Sequence, residues 1–96
     1  MIHVYILRTS RDTLYIGQTN DLAKRMQQHR AHKGSKYLKA FSDFELVYAE
    51  EMNTRSEALK REAELKKLTK TEKEKFLRVA GEKVDFNIWT TDTQIL

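Results

Sequence analysis

Ile2-His-Val-Tyr-Ile-Leu-Arg-Thr-Ser-Arg-Asp-Thr-Leu-Tyr-Ile-Gly-Gln18 is the stretch whose reading decides the fold. Residues 2–8 are dense in β-branched and aromatic types, the composition of a strand. Thr9-Ser-Arg-Asp12 is turn chemistry, and residues 13–18 read as the returning strand of a hairpin. Side chains alternate across a strand, so Val4 and Ile6 share one face while Tyr5 and Leu7 share the other. On the second strand Leu14 and Ile16 oppose Tyr15 and Gly17. If the two aliphatic sets share the core, Tyr5 and Tyr15 share the opposite face.

Outward from the hairpin, Asn20 and Asp21 are both good helix caps. The helix they open carries Leu22 and Met26 one turn apart, with Arg25 and His29 at the edge of that apolar stripe. Gly34 interrupts the pattern, and residues 35–41 suit a short second helix. Phe44 to Glu51 suits a third strand. Thr54-Arg-Ser-Glu57 fits a capping box, and the helix behind it is expected to bury Ala58, Leu59, Leu65 and Thr69. A last helix is expected to start at Thr71-Glu-Lys-Glu74 and end at Gly81. Residues 82–96 alternate like a strand at Val84, Phe86 and Ile88, and suit a loosely attached tail equally well. The order β-β-α-α-β-α-α implies an α/β protein of the α+β type, with a three-stranded, mainly antiparallel sheet flanked by helices. One domain over residues 1–80 and a C-terminal extension over 81–96 are the expected organisation.

Composition narrows the function. The chain has 96 residues, one domain's worth, and its core is correspondingly modest. With no cysteine, disulfides and thiolate metal sites are excluded. No apolar run reaches membrane-spanning length, and a strand-like segment follows Met1 directly, so a cytoplasmic location and no membrane partner are expected. The net charge is +4, but its distribution says more. Leu22 to Ser42 holds six cations (Lys24, Arg25, Arg30, Lys33, Lys36 and Lys39) with His29 and His32, and no acid. Solvated faces usually mix their signs, so this stretch points to an anion-binding surface.

Glu62 is the most informative single residue. Its helical neighbours at −4, −3 and +3 are Ala58, Leu59 and Leu65, which sets a carboxylate in an apolar stripe. Burying it unpaired is expensive, so it is a metal ligand, one half of a buried ion pair, or a side chain that snorkels to water. His29 and His32 lie three apart and two imidazoles can share a metal, but that segment offers neither a cysteine nor an acid to complete a zinc site.

The constellation is more specific than its parts. Tyr5 precedes Tyr15 by ten residues, Arg25 follows ten later, His29 four after that, and Glu62 sits on the later helix. With Lys33-Gly-Ser-Lys36-Tyr37 and Arg55-Ser-Glu-Ala-Leu-Lys-Arg-Glu62, the pattern over residues 2–78 resembles the GIY-YIG nuclease superfamily, and most closely its small single-domain YhbQ-like (UPF0213) branch. Tyr5 stands in the GIY position, with His3 and Val4 replacing its glycine and isoleucine. Tyr15 and Gly17 match YIG. Leu38 stands where the branch usually has threonine, and the asparagine that some members carry has no clear match.

The resemblance implies catalytic roles for Tyr5, Tyr15, Arg25, His29 and Glu62, with Glu62 holding one divalent ion, Mg2+ or Mn2+. It implies a metal-dependent endonuclease that hydrolyses phosphodiester bonds in DNA, with roles in repair or recombination. The alternative is a nucleic-acid-binding module of the same fold with little turnover; a third reading, a protein-interaction domain, explains the charge asymmetry poorly. Gly17, Lys24, Arg30, Lys33, Lys36, Tyr37 and Lys39 are the expected nucleic-acid contacts. Gly17 is expected to let the backbone approach substrate closely. Specificity would come from DNA structure or from a protein partner. The chemistry suits these residue types. An always-charged guanidinium fork fits phosphate oxygens, and magnesium tolerates one carboxylate completed by water and phosphate. A phenol accepts a proton from water only if its pKa falls well below about 10, and Arg25 and the metal act in that direction. Both tyrosines fit that role.

Overall fold

The computed structural model describes residues 1–31 and 43–81. Their order is β1 (Ile2–Thr9), β2 (Leu14–Thr19), α1 (Leu22–Arg30), β3 (Phe44–Met52), α2 (Arg55–Lys66) and α3 (Lys70–Gly81). The short helix expected at 35–41, the strand or tail at 82–96, and the contacts expected at Lys33, Lys36, Tyr37 and Lys39 lie outside the described residues.

The strands form one antiparallel sheet ordered β2-β1-β3, as the hairpin pattern requires. β1 is therefore central, and helices cover both of its faces. Val4, Ile6, Tyr5 and Leu7 are all at most 1% exposed, so neither alternating set faces water. Tyr5, Leu7, Phe44, Leu46 and Ala49 pack under Leu22 and Met26 of α1. On the opposite face Val4, Ile6, Ile16 and Tyr48 pack under Ala58 and Leu65, with Phe76 and Leu77 beside them. Each fully buried aliphatic side chain contributes about 1.5–3 kcal/mol of transfer free energy.

The hairpin turns at Asp12, whose φ of 62° is in the left-handed region that a short polar side chain tolerates. Thr9 N–H donates to Thr13 O, and Asp12 N–H donates to Thr9 O, both at 2.9 Å. On the other side of β1 the pairing with β3 slips: Ile6 faces Tyr48 while Leu7 faces Leu46, leaving Val47 as the extra residue of a bulge. The slip reverses the alternation, so Phe44 and Leu46 join Ala49 on the α1 face instead of following Tyr48.

Asp21 rather than Asn20 caps α1, its carboxylate accepting from Lys24 N–H at 3.1 Å. Thr54 caps α2 as the sequence implies, accepting from Glu57 N–H at 3.1 Å. The last helix begins earlier than expected. Thr69, not Thr71, forms the capping box: its hydroxyl accepts from Glu72 N–H at 3.1 Å, and Glu72 reaches back to Thr69 N–H at 2.8 Å. This placement exposes Thr69 instead of burying it. Leu59 also departs from expectation, being 53% exposed. An ideal helix sets Glu62 about 40° and Leu59 about 100° from the direction of Ala58. The stripe that touches the sheet runs through Ala58 and Leu65, and Leu59 falls off it.

Candidate active site at the edge of β2

Four of the residues singled out by the sequence meet on the α1 face of the sheet. Tyr5 pairs with Gly17 across the hairpin and Leu7 with Tyr15, which brings the two tyrosines diagonally together with ring centroids 6.3 Å apart. His29 descends from α1 between them, 6.0 Å from the Tyr5 centroid and 5.7 Å from that of Tyr15. Leu22, Met26 and His29 are the buried residues of α1, so His29 sits on the apolar stripe and not at its edge. It is 1% exposed and stacks edge-on against Phe44, the residue that the β3 bulge delivers to this face.

The electrostatics follow from that burial. The Tyr5 phenol and His29 Nε2 share a hydrogen bond of 2.9 Å. Burial, reinforced by the Arg25 charge, lowers the His29 pKa to about 4, so the imidazole is neutral at neutral pH. Burial first, then the neighbouring Tyr15, pushes the Tyr5 phenol above its ordinary value; Arg25 pulls the other way and is outweighed. Arg25 acts in the expected direction on Tyr5, but without a metal beside it burial outweighs it. Tyr5 and His29 form a neutral, proton-sharing pair inside the core.

Gly17 has a different use from the one expected. A Cβ there would lie 2.7 Å from the Tyr5 hydroxyl oxygen, 2.8 Å from its Cζ and 3.2 Å from Tyr15 Cε1. The space opened by the missing side chain is filled by the Tyr5 ring, not left for substrate.

Glu62 comes from the other face. Gln18 points towards α2, and its Nε2 donates to Glu62 Oε1 at 3.2 Å. Lys66, one turn on, holds its ammonium 3.4 Å from Glu62 Oε2, and the Glu62 side chain is 17% exposed. β2 is at an edge of the described sheet, and Glu62 and Tyr15 reach around that edge into one cleft. Leu14, Tyr15, Ile16, Glu62, Lys66 and Lys73 line it, enclosing about 320 Å³. Tyr5 does not line this cleft, although the Glu62 charge is close enough to act on its phenol. Lys24 and Arg30 are exposed on α1, and the Arg30 guanidinium lies 6.0 Å from the Phe44 ring centroid.

The GIY-YIG catalytic-domain model matches residues 1–75. The chain belongs to the GIY-YIG family. Within it, the chain is similar to UPF0213 proteins. Those of Yersinia pestis (strain Pestoides F) and Yersinia pseudotuberculosis (serotype IB, strain PB1/+) are each 45% identical over 75 residues, 78% of this chain and 79% of the relative. The solution NMR structure of a UPF0213 protein from Bacillus halodurans shares the fold with a TM-score of 0.57 and 33% identity, covering 84% of this chain and 87% of that one. GIY-YIG is a nuclease family, and the three-stranded sheet with its flanking helices is the shared scaffold. No helix among the described residues is long and apolar enough to cross a membrane.

The GIY-YIG motif residues thus sit on two sides of one strand edge. Sequence reasoning missed four neighbours: Gln18, which anchors Glu62; Phe44, which backs His29; and Lys66 and Lys73 in the cleft. The Glu62–Lys66 spacing of four was legible as a helical ion pair, whereas Gln18, Phe44 and Lys73 reach the site only through tertiary packing.

At Glu62 a divalent ion would have one carboxylate to bind and would have to displace the Lys66 ammonium from Oε2. Gln18 fixes one carboxylate oxygen, and the other faces a cation already, the Lys66 ammonium. No group of three or more His, Asp or Glu side chains suited to a metal occurs among the described residues. The protein would supply one hard oxygen, with water and substrate phosphate completing the shell, as magnesium accepts.

Proposed function

We propose that the chain is a metal-dependent endonuclease acting on DNA phosphodiester bonds. One observation carries this reading: Tyr15 and Glu62, from opposite faces of the sheet, line the same open cleft. Tyr15 is half-buried and borders the cleft, whereas Tyr5 is 1% exposed, so Tyr15 is the phenol in reach of an attacking water. Tyr5 and His29 hold the Tyr15 ring from behind. Glu62 would hold Mg2+ or Mn2+, which when bound would neutralise charge on the phosphate. The Tyr15 phenol oxygen accepts the water proton and passes its own to solvent as the water oxygen bonds to phosphorus and the P–O bond to the leaving oxygen breaks; that oxygen takes a proton from water, and Arg25 stabilises the charge gathering on the phosphoryl oxygens. A role in repair or recombination and a protein partner that directs the enzyme belong to the same reading.

A nucleic-acid-binding module without turnover is the second reading. It is favoured by the Lys66 ammonium, which stands 3.4 Å from Glu62 Oε2, where a dication would bind.

Incubation of the pure chain with labelled duplex, single-stranded and branched DNA, with Mg2+, Mn2+ or EDTA, separates the two. Cleavage is expected with metal only, and Glu62→Gln and Tyr15→Phe should each lose at least about a hundredfold in rate. Among the described residues the partners of Glu62 are an amide and a half-exposed lysine, so Glu62→Gln should melt within about 1 kcal/mol of the wild type. A wild type that binds DNA and cuts none of these substrates with either metal would sink the enzyme reading.

A further inference from the structure

We propose that the nucleic-acid backbone crosses the β2 edge, held by phosphate contacts from both faces of the sheet, and that Lys73 of α3 supplies the contact on the face opposite α1. The described part of the expected cationic surface, Lys24, Arg25 and Arg30, lies on α1, above the Tyr5 face. The cleft, however, opens on β2, the edge strand of the described sheet, and its far wall is built by α2 and α3. That wall carries two lysines, Lys66 and Lys73, which differ in what they already do.

Lys66 is committed to Glu62. Lys70, nearby on α3, is committed to Glu74 at 2.7 Å and to the Asp12 carbonyl at 2.8 Å. The acids of the same helix are also spoken for: Glu72 caps the helix at Thr69, and Glu74 is paired with Arg8 as well as Lys70. Lys73 lies between them, half-buried, and makes no ion pair with any described residue. A partly desolvated ammonium beside a catalytic tyrosine and a carboxylate, with no acid of its own, is an anion site waiting for a mobile partner. The partner that fits is a phosphodiester next to the scissile one: singly charged, and continuous with the strand that Arg25 and Lys24 meet on the α1 side. The inference takes its ligand, nucleic acid, from the proposed function, but it concerns binding and not turnover.

The test is fluorescence anisotropy of a labelled DNA duplex and the matching single strand in EDTA, over a range of salt. The wild type, Lys73→Met and Lys73→Arg are compared, with thermal melts on the same samples. Methionine keeps the aliphatic stem and removes only the charge. Lys73→Met is expected to bind about tenfold more weakly at low salt, with a log–log salt slope shallower by about one, at an unchanged melting temperature. Lys73→Arg should restore most of both. Equal affinity and slope in Lys73→Met and wild type, or no binding by the wild type at low salt, would overturn the proposal. Because EDTA removes turnover from the measurement, a changed slope in a protein that never cuts would leave this track standing while the nuclease reading falls.

Discussion

His29 shows how one residue's chemistry is decided by its depth. At 1% exposure beside Arg25, its pKa drops to about 4 from an ordinary 6.5. The folded chain therefore binds fewer protons than the unfolded chain between these values. Stability from this group is full above pH 6.5 and is lost as the pH falls towards 4, by about 3 kcal/mol in all. Urea titrations at intervals from pH 7.5 to 4 should show that loss, and in His29→Gln the decline over the same interval should be smaller. Gly17 is the second decisive residue. Glycine in a strand ordinarily costs stability relative to alanine, by up to about 1 kcal/mol. Here the sign reverses, because the new methyl would meet the Tyr5 hydroxyl at 2.7 Å, and Tyr5 is held by its bond to His29. Gly17→Ala should destabilise by about 1–3 kcal/mol in the same titrations; an equal or higher midpoint would show that the Tyr5 pocket yields.

At the scale of elements, the site depends on how α3 is fixed. Phe76 packs edge-on against Tyr48, with ring centroids 5.0 Å apart. Arg8 of β1 makes a two-pronged pair with Glu74, Nη1 to Oε2 at 2.8 Å and Nη2 to Oε1 at 2.7 Å. The Arg8 guanidinium, then Lys70, brings the Glu74 pKa down to about 2. This contribution is present above the ordinary carboxylate value of 4.5 and is lost as the pH falls towards 2, below the interval in which His29 titrates. Both side chains remain partly exposed, so solvent screening holds the pair to about 1 kcal/mol. A double-mutant cycle of Arg8→Met and Glu74→Gln should return a coupling of that size. Zero coupling would mean that the packing of Phe76 alone holds α3, and with it Lys73, against the sheet.

For the whole molecule, the proposed phosphate track along the two walls of the β2 edge would bind by electrostatic attraction. Among the described residues, Lys24, Arg25 and Arg30 on one side and Lys73 on the other are four cations that would be available to phosphate. If each neutralises one phosphate, affinity for duplex DNA should fall by about a hundredfold between 50 and 200 mM salt. Anisotropy titrations measure this directly, and a flat response would remove the phosphate track altogether. On this proposal the chain's net charge of +4 would provide the long-range attraction, and the placement of these groups around the edge of β2 would decide where the backbone lies.

Much of this was readable from the residues alone. The hairpin of residues 2–18, the Asp21 and Thr54 caps and the ten-residue spacing of the tyrosines are local: alternation, capping chemistry and short-range geometry determine them without reference to the rest of the chain. The family resemblance rests on the same local signals. The tertiary structure decided what depends on which surface meets which. Helical period places Leu22, Met26 and His29 on one stripe and Ala58, Glu62 and Leu65 near another, but not how far the sheet extends beneath each. His29 therefore went into the core, and Leu59 was left in water. β1 is covered on both sides, so the tyrosines and Glu62 belong to opposite faces, and it is Tyr15 that meets Glu62 around the edge of β2. The pairing of Gln18 with Glu62 spans 44 residues of sequence, and the bulge at Val47 that sends Phe44 to His29 is a property of strand register. Contacts of that kind arise from the packing of whole elements, and no local pattern encodes them.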